Sequence, residues 1–229
     1  MLTTRIFRTA WLATIGVSVI GSSEGSAVQL GQRPANEYVQ RMDRPERVEG
    51  LMVDEVVEAL GLEPGDVVAD IGSGSGIFSV AMARKIGPDG TLYSVDIDQD
   101  MLDFVADRAE QEGVTNVRTT LGEYGDPMLP VENVDVAFFH RTLHMIERRQ
   151  AYLNATAEYL APDGQIVIVE RGPEAVQNWM WLDRSHVDSW MAALSFYPAR
   201  EFEGFGNRWF VVYQRPYGDS MLPGAGGGE

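Results

Sequence analysis

Cysteine is absent from the chain. Disulfides, thiolate metal sites and cysteine nucleophiles are therefore excluded. The absence is compatible with an oxidising compartment without requiring one. Positive charge is scarce: 18 lysines and arginines stand against 34 aspartates and glutamates, a formal net charge of -16. A sequence-independent grip on nucleic acid needs a basic face, and an acidic surface disfavours anionic membranes. The charge balance argues against both partners, and solubility alone is the simplest use for it. Histidine occurs only three times, so candidates for proton transfer are few.

What is present is enough for one well-buried α/β domain: 229 residues, 45% of them hydrophobic. The N-terminus, "MLTTRIFRTAWLATIGVSVIGSSEGSA", has the layout of an export signal. Arg5 and Arg8 form a positive first region. Ala10–Ile20 is an apolar stretch too short to span a bilayer comfortably. Gly25-Ser26-Ala27 offers small residues for cleavage after Ala27. Residues 1–27 are thus expected to be a signal peptide, 28–42 a polar tether, 43–216 the folded domain and 217–229 a disordered glycine-rich tail. The mature protein is expected to be periplasmic or secreted, with a cytoplasmic location as the alternative.

Within 43–216 the pattern alternates. Asp43 is expected to cap a helix that runs to Leu60, with Pro45 in its first turn and Glu46 three residues after the cap. Strands are expected at Val67–Ile71, Thr91–Asp96, Val117–Leu121, Val134–Phe139 and Gln165–Glu170, the first with apolar residues in succession as a buried parallel strand requires. Helices fall between them at Phe78–Ile86, Met101–Glu112 and Glu147–Leu160, the last closed by Pro162-Asp163-Gly164. A helix near Ser185–Leu194 and a hairpin of Glu201–Phe205 with Arg208–Tyr213 complete the domain. Such alternation implies right-handed crossovers and a mostly parallel sheet with helices on both faces, edged by antiparallel strands from the hairpin.

The most informative stretch is "ADIGSGSGIF", with Gly72, Gly74 and Gly76 at alternate positions after the first strand. A glycine turn between strand and helix lets a ligand approach the backbone and aims helix N-terminal amides at it. The dinucleotide fingerprint would need glycine at position 77, which is Ile77, and no Gly-Lys-Ser/Thr phosphate loop is present. Asp96 ends the second strand in "YSVDID" and is expected beside the glycine turn, where a carboxylate can accept both hydroxyls of a ribose. With no lysine or arginine between Asp70 and Ala83, the ligand need not carry phosphate.

Together, "VVADIGSGSGIF", "LYSVDID", "LGEYGDPMLP" and "VDVAFFHRTLHMI", in that order, resemble the class I S-adenosylmethionine-dependent methyltransferases over roughly Arg44 to Pro216. The resemblance implies a single Rossmann-like domain with a mostly parallel seven-stranded sheet and a C-terminal antiparallel hairpin. It implies S-adenosyl-L-methionine as cofactor, with Gly72, Gly74 and Gly76 passing close to its methionine part, Asp70 meeting the amino end directly or through water, and Asp96 holding the ribose. Glu123 or Asp126 would face the adenine, although "GEYGDP" is longer than the family's usual Gly-Asp-Ala, and a plain turn is the competing reading of Asp126-Pro127.

The acceptor side is expected after the fourth strand, in "FFHRTLHMI". His140 and His144 are candidates for a base or for acceptor positioning, and would share a face if that segment is helical. Packing near the cofactor is the competing reading for each, and a metal site lacks a convincing third ligand. His186, after the expected cap Ser185, reads as surface. Glu170 ends the fifth strand toward the same crevice, with a salt bridge to Arg171 as its plain alternative. Trp179, Met180, Trp181 and Trp190 form either a lid over an apolar acceptor or core packing. Thiolate-dependent arsenic methylation, known in relatives of this fold, lacks its cysteines here. The acceptor expected is a small molecule. An exported, non-catalytic binder of S-adenosylmethionine or a related nucleoside is the alternative function, and a nucleotide-binding oxidoreductase is disfavoured by Ile77.

Export makes the first prediction. Protein isolated from its native cells should begin at Val28 on N-terminal sequencing; a chain retaining Met1 in the soluble cytosolic fraction overturns the leader reading.

Overall fold

The computed structural model describes residues 35–172 and 181–216. The expected leader, the first part of the expected tether, Trp179, Met180 and the glycine-rich tail lie outside the described residues. Three helices precede the sheet: α1 (Ala35–Met42), α2 (Pro45–Glu49) and α3 (Val53–Leu60). Then follow β1 (Val67–Ile71), α4 (Ile77–Ile86), β2 (Thr91–Asp96), α5 (Gln99–Gln111), β3 (Val117–Leu121) and β4 (Val134–His140). A 3-10 turn at Leu143–Met145 leads to α6 (Arg149–Glu158), β5 (Leu160–Arg171), α7 (Arg184–Ala193), β6 (Tyr197–Phe202) and β7 (Arg208–Gln214).

The seven strands lie in the order β3-β2-β1-β4-β5-β7-β6. The first five are mutually parallel, and β7 runs antiparallel to both β5 and β6. The Rossmann-like architecture with its antiparallel C-terminal hairpin is as the sequence implies. The central strands bury both faces, and consecutive residues alternate between two cores. Ala69, Ile71, Ala137, Phe139, Ile166 and Ile168 join one with α6 and α7. Val68, Val136, Phe138, Val167 and Val169 join the other with α3 and α4. An unbroken apolar run is what a strand covered on both sides requires.

Several boundaries differ from the sequence reading, each for a tertiary reason. The end of the expected tether is helical as α1. The helix expected over 43–60 is two helices, broken around Leu51 and Met52. Met52 takes a left-handed φ of 55°, and Arg208 Nη1 donates to the Leu51 carbonyl at 2.9 Å. The break is thus tied to β7, a contact with no local signature. Asp43 does not cap; it pairs with Arg108 of α5, and Arg44 holds the cap position of α2 without a side-chain bond. At α7 the cap is Asp183, not Ser185: its carboxylate accepts from the Ser185 amide at 2.9 Å. Pro162-Asp163-Gly164 lies inside β5, where the register against β4 shifts between Val134 and Val136. The turn residues are absorbed as a bulge. β6 starts earlier than expected, because Pro198 is tolerated on an edge strand. Phe205 instead turns in against Phe210, their ring centroids 5.2 Å apart.

One polar contact runs through the layer between sheet and helix. Ser79 of α4 donates to Asp70 Oδ2 of β1 at 2.6 Å, and its hydroxyl lies 3.1 Å from that of Ser94 on β2. All three side chains are buried. Burial pushes the Asp70 carboxyl up to about 7, opposed by the Ser79 hydrogen bond and assisted by nearby Asp96. The folded protein therefore holds this proton more tightly than the unfolded chain does. The contribution of Asp70 to stability is complete below the ordinary carboxylate range and is lost as pH rises through about 7. Asp70→Asn, which cannot titrate, should gain on the wild type in urea unfolding between about pH 4.5 and 7.5, by at most ~1.4 kcal/mol per pH unit. A difference that stays flat across that range would contradict the assignment.

Candidate active site

The strand order places β3, β2 and β1 on one side and β4, β5 on the other, so the chain reverses direction across the sheet between β1 and β4. Open α/β sheets bind ligands at this switch point, outside the carboxyl ends of the strands. Four chain segments meet there: the turn after β1, the end of β2, the turn after β4 and the end of β5.

The turn after β1 is Gly72–Gly76. Gly72 has φ 71°, and a Cβ on it would lie 2.2 Å from Thr142 Cγ2, so neither the backbone angle nor the space admits another residue. The Gly72 and Ser73 amides both donate to the Val95 carbonyl, at 2.8 and 3.0 Å. The Gly74 amide donates to Asp96 Oδ2 at 3.1 Å. Asp96 also accepts from the Asp98 amide, at 3.2 Å on Oδ1. Burial raises its pKa, and the amide bonds from Asp98 and Gly74 act against that rise. The turn is thus laced to β2, with Asp96 at the lacing point as the sequence suggests. The Ser73 hydroxyl is buried in this turn and has no hydrogen-bond partner among the described residues. A buried hydroxyl without a partner is rare enough to point to a ligand. With Asp96 as acceptor beside it, the pair suits a hydroxyl- and amine-bearing nucleoside.

Other expected cofactor residues fare differently. Asp70 Oδ2 is taken by Ser79, within the layer between β1 and α4 rather than in the turn. Asp126 Oδ1 accepts from the Met128 amide at 2.7 Å and the Tyr159 hydroxyl at 2.8 Å, so it closes its own loop. Its backbone pairs with that of Glu123. The Glu123 side chain is exposed and makes no hydrogen bond among the described residues, beside Tyr124 at 81% exposure. Of the two carboxylates, only Glu123 is uncommitted.

On the acceptor side, His140 and His144 do not share a helix face. His140 is the last residue of β4 and His144 lies in the 3-10 turn, separated by Arg141 with a left-handed φ of 55°. His144 Nδ1 sits 3.1 and 3.0 Å from the two oxygens of Glu170, and its backbone amide donates to Glu170 Oε1 at 3.1 Å. Glu170 is fully buried and His144 is 5% exposed. Glu170 therefore serves His144, not Arg171. His140 stacks against Phe78, ring centroids 4.5 Å apart. Its pKa falls well below the ordinary histidine value, from burial first and then from Arg141, Arg208, Arg47 and Arg171. His140 is a neutral imidazole. His186 is exposed, as expected for a surface residue. Trp190 is half-buried, packs against the α6–α7 core and stacks on His186, the packing role rather than a lid. Sequence reasoning missed Ser73, Arg141 and Arg208. Arg141 follows a strand end directly, and that position was the available signal.

A family profile described as a methyltransferase domain matches residues 62–199, and the chain belongs to this family, the S-adenosylmethionine-dependent methyltransferases. The match includes the glycine turn, Asp96, both site histidines and Glu170. A solved S-adenosylmethionine-dependent methyltransferase from Aquifex aeolicus superposes with a TM-score of 0.70 at 20% identity, covering 80% of this chain and 98% of that one. A 1,6-didemethyltoxoflavin-N1-methyltransferase from Burkholderia thailandensis, solved with its substrate and S-adenosylhomocysteine, gives 0.59 at 18% identity, covering 79% and 84%. Among curated proteins, an arsenite methyltransferase from Halobacterium salinarum is 29% identical over 107 residues, which is 47% of this chain but 27% of that protein. The chain thus spans only a fraction of that relative's length.

Asp96→Ala should weaken S-adenosylhomocysteine binding by about ten- to a hundredfold, the cost of removing a charged acceptor from two ribose hydroxyls at ~1.5–3 kcal/mol. Calorimetry on the folded variant showing unchanged affinity would remove the ribose assignment.

Proposed function

We propose that the protein transfers a methyl group from S-adenosylmethionine to a small molecule whose accepting atom must lose a proton, with His144 as the base. S-adenosylmethionine, when bound, supplies an electrophilic methyl group on a positively charged sulfur, which leaves as a neutral thioether. The chain's tasks are then to hold the two reactants in line, to exclude water and to receive the acceptor's proton. The turn Gly72–Gly76 with Asp96 and Ser73 holds the nucleoside. Glu123 is the carboxylate left to meet the adenine.

The observation that carries the reading is the His144–Glu170 pair. A buried carboxylate facing Nδ1 fixes the tautomer with the proton on that nitrogen, leaving Nε2 as the basic one. Glu170 also binds the His144 amide, so ring and backbone are oriented together. The accepting heteroatom gives its proton to Nε2 as it takes the methyl, and Glu170 stabilises the imidazolium that results. His140 has the opposite character. A neutral ring next to arginines accepts a hydrogen bond and does not store a proton, so it positions the acceptor. This division of labour favours an enzyme over a passive nucleoside binder. Arsenite is disfavoured as acceptor, because the chain has no thiolate to carry it.

His144→Gln and Glu170→Gln should each lower S-adenosylhomocysteine formation, measured with a small-molecule extract of the source cells, by ~10²–10⁴-fold. Cofactor affinity should stay within about twofold of wild type. If the variants instead keep their fold and lose cofactor binding, or keep wild-type turnover, His144 is not the base.

A further inference from the structure

The acceptor end of the site collects arginines in a chain that has few. Arg141 follows the last residue of β4, and its amide donates to the Val169 carbonyl of β5 at 2.8 Å. Arg171 ends β5 and lies directly opposite Arg208 of β7 in the antiparallel register. Arg208 Nη1 comes within 3.5 Å of His140 Nε2. Arg47 of α2 completes the group, with its Nη1 held by the Met42 carbonyl at 2.7 Å. Burial first, and then the charges of the other three, bring the Arg141 pKa down to about 10, with Glu170 acting against them.

None of the four makes an ion pair among the described residues. Two carboxylates are near, and neither pairs with these arginines among the described residues, although Asp43 Oδ1 is itself buried without a partner there. Glu170 is bound to His144, and Asp43 is paired with Arg108. The Nε atoms of Arg141 and Arg171 are buried with no hydrogen-bond partner among the described residues. Arg208 spends its Nε and Nη1 on the carbonyls of Phe205 and Leu51, which aims the guanidinium rather than neutralising it. Like charges facing each other across a strand pair destabilise a sheet, and unsatisfied buried donors add to that cost. A chain with nearly twice as many acidic as basic residues has nonetheless gathered four cations at one end of the sheet, with no carboxylate paired to any of them among the described residues. Guanidinium forks match the paired oxygens of a carboxylate or a phosphate.

We infer that the methyl acceptor carries an anionic oxygen group, a carboxylate or a phosphate, that Arg141, Arg171, Arg208 and Arg47 bind beside His140, leaving its accepting atom toward His144. The inference rests on the proposed methyl transfer for the word acceptor, but the anion site stands on its own geometry. The arginines fix the acceptor's charged end; the methylated atom lies at another part of the same molecule.

The test uses the full chain and two probes, succinate and inorganic pyrophosphate, each titrated by calorimetry in a chloride buffer with saturating S-adenosylhomocysteine. At least one probe should bind wild type. Arg171→Gln should weaken that binding at least tenfold and Arg171→Lys less, with S-adenosylhomocysteine affinity unchanged. Because the variant removes a like charge, Arg171→Gln should also melt higher than wild type without probe, by ~2–4 °C. Succinate binding alone marks a carboxylate acceptor and pyrophosphate binding alone a phosphorylated one; either supports the site. Failure of both probes with S-adenosylhomocysteine bound overturns the inference, as does full affinity in Arg171→Gln. If the probes bind but S-adenosylhomocysteine does not, the anion site stands and the methyltransferase reading falls.

Discussion

A single carbonyl, that of Val95, receives two backbone amides from the neighbouring strand's turn. Everything at the crevice depends on this lacing. It folds the chain after β1 back over the end of β2, so that the next amide, from Gly74, meets the Asp96 carboxylate. Positive φ at Gly72 and Gly74 makes the path possible, and the close approach of Thr142 forbids a side chain at the first of them. The carboxylate is thus held by backbone amides at both oxygens, Gly74 on Oδ2 and Asp98 on Oδ1. Orientation of this kind is inexpensive to maintain, since the amides would need partners in any case.

The turn after β4 is built on a different principle. There the backbone is strained at Arg141 and the polar groups are side chains: a buried carboxylate spent on one histidine, arginines around the other. A neutral His140 and an oriented His144 within one turn of chain show how environment separates two identical residue types. The Glu170 carboxylate decides the matter by facing one ring and not the other.

Much of this was legible in the sequence, and the limits follow from what sequence patterns encode. The strands read correctly because burial on both faces leaves an unbroken apolar run, as in Val67–Ile71 and Val134–Phe139. The glycine turn and Asp96 read correctly because backbone conformation and strand-end position are local properties. The helix break at Leu51–Met52 did not, because its cause is Arg208, far along the chain. Asp43 was read as a cap for the same reason: its partner is in α5. Pro162-Asp163-Gly164 has every mark of a turn but lies inside a bulged strand. His140 and His144 are legible by position, while their relation is not, because spacing of four carries meaning only on a helix. Glu170 was placed in the crevice, but its partner could be identified only once the 3-10 turn was known.

Thr142 joins the two halves of the site. Its hydroxyl lies 3.3 Å from the Gly72 carbonyl and 3.3 Å from that of His140, and its methyl group fills the space that keeps residue 72 a glycine. The turn that carries His140 and His144 is therefore also the floor of the glycine turn. Neither turn can be reshaped without moving the other: lengthening the segment after β4 would unseat the glycine backbone after β1. A change at this end of the sheet that spares the coupling is one of side-chain charge and reach, leaving the main chain at residue 142 where it is.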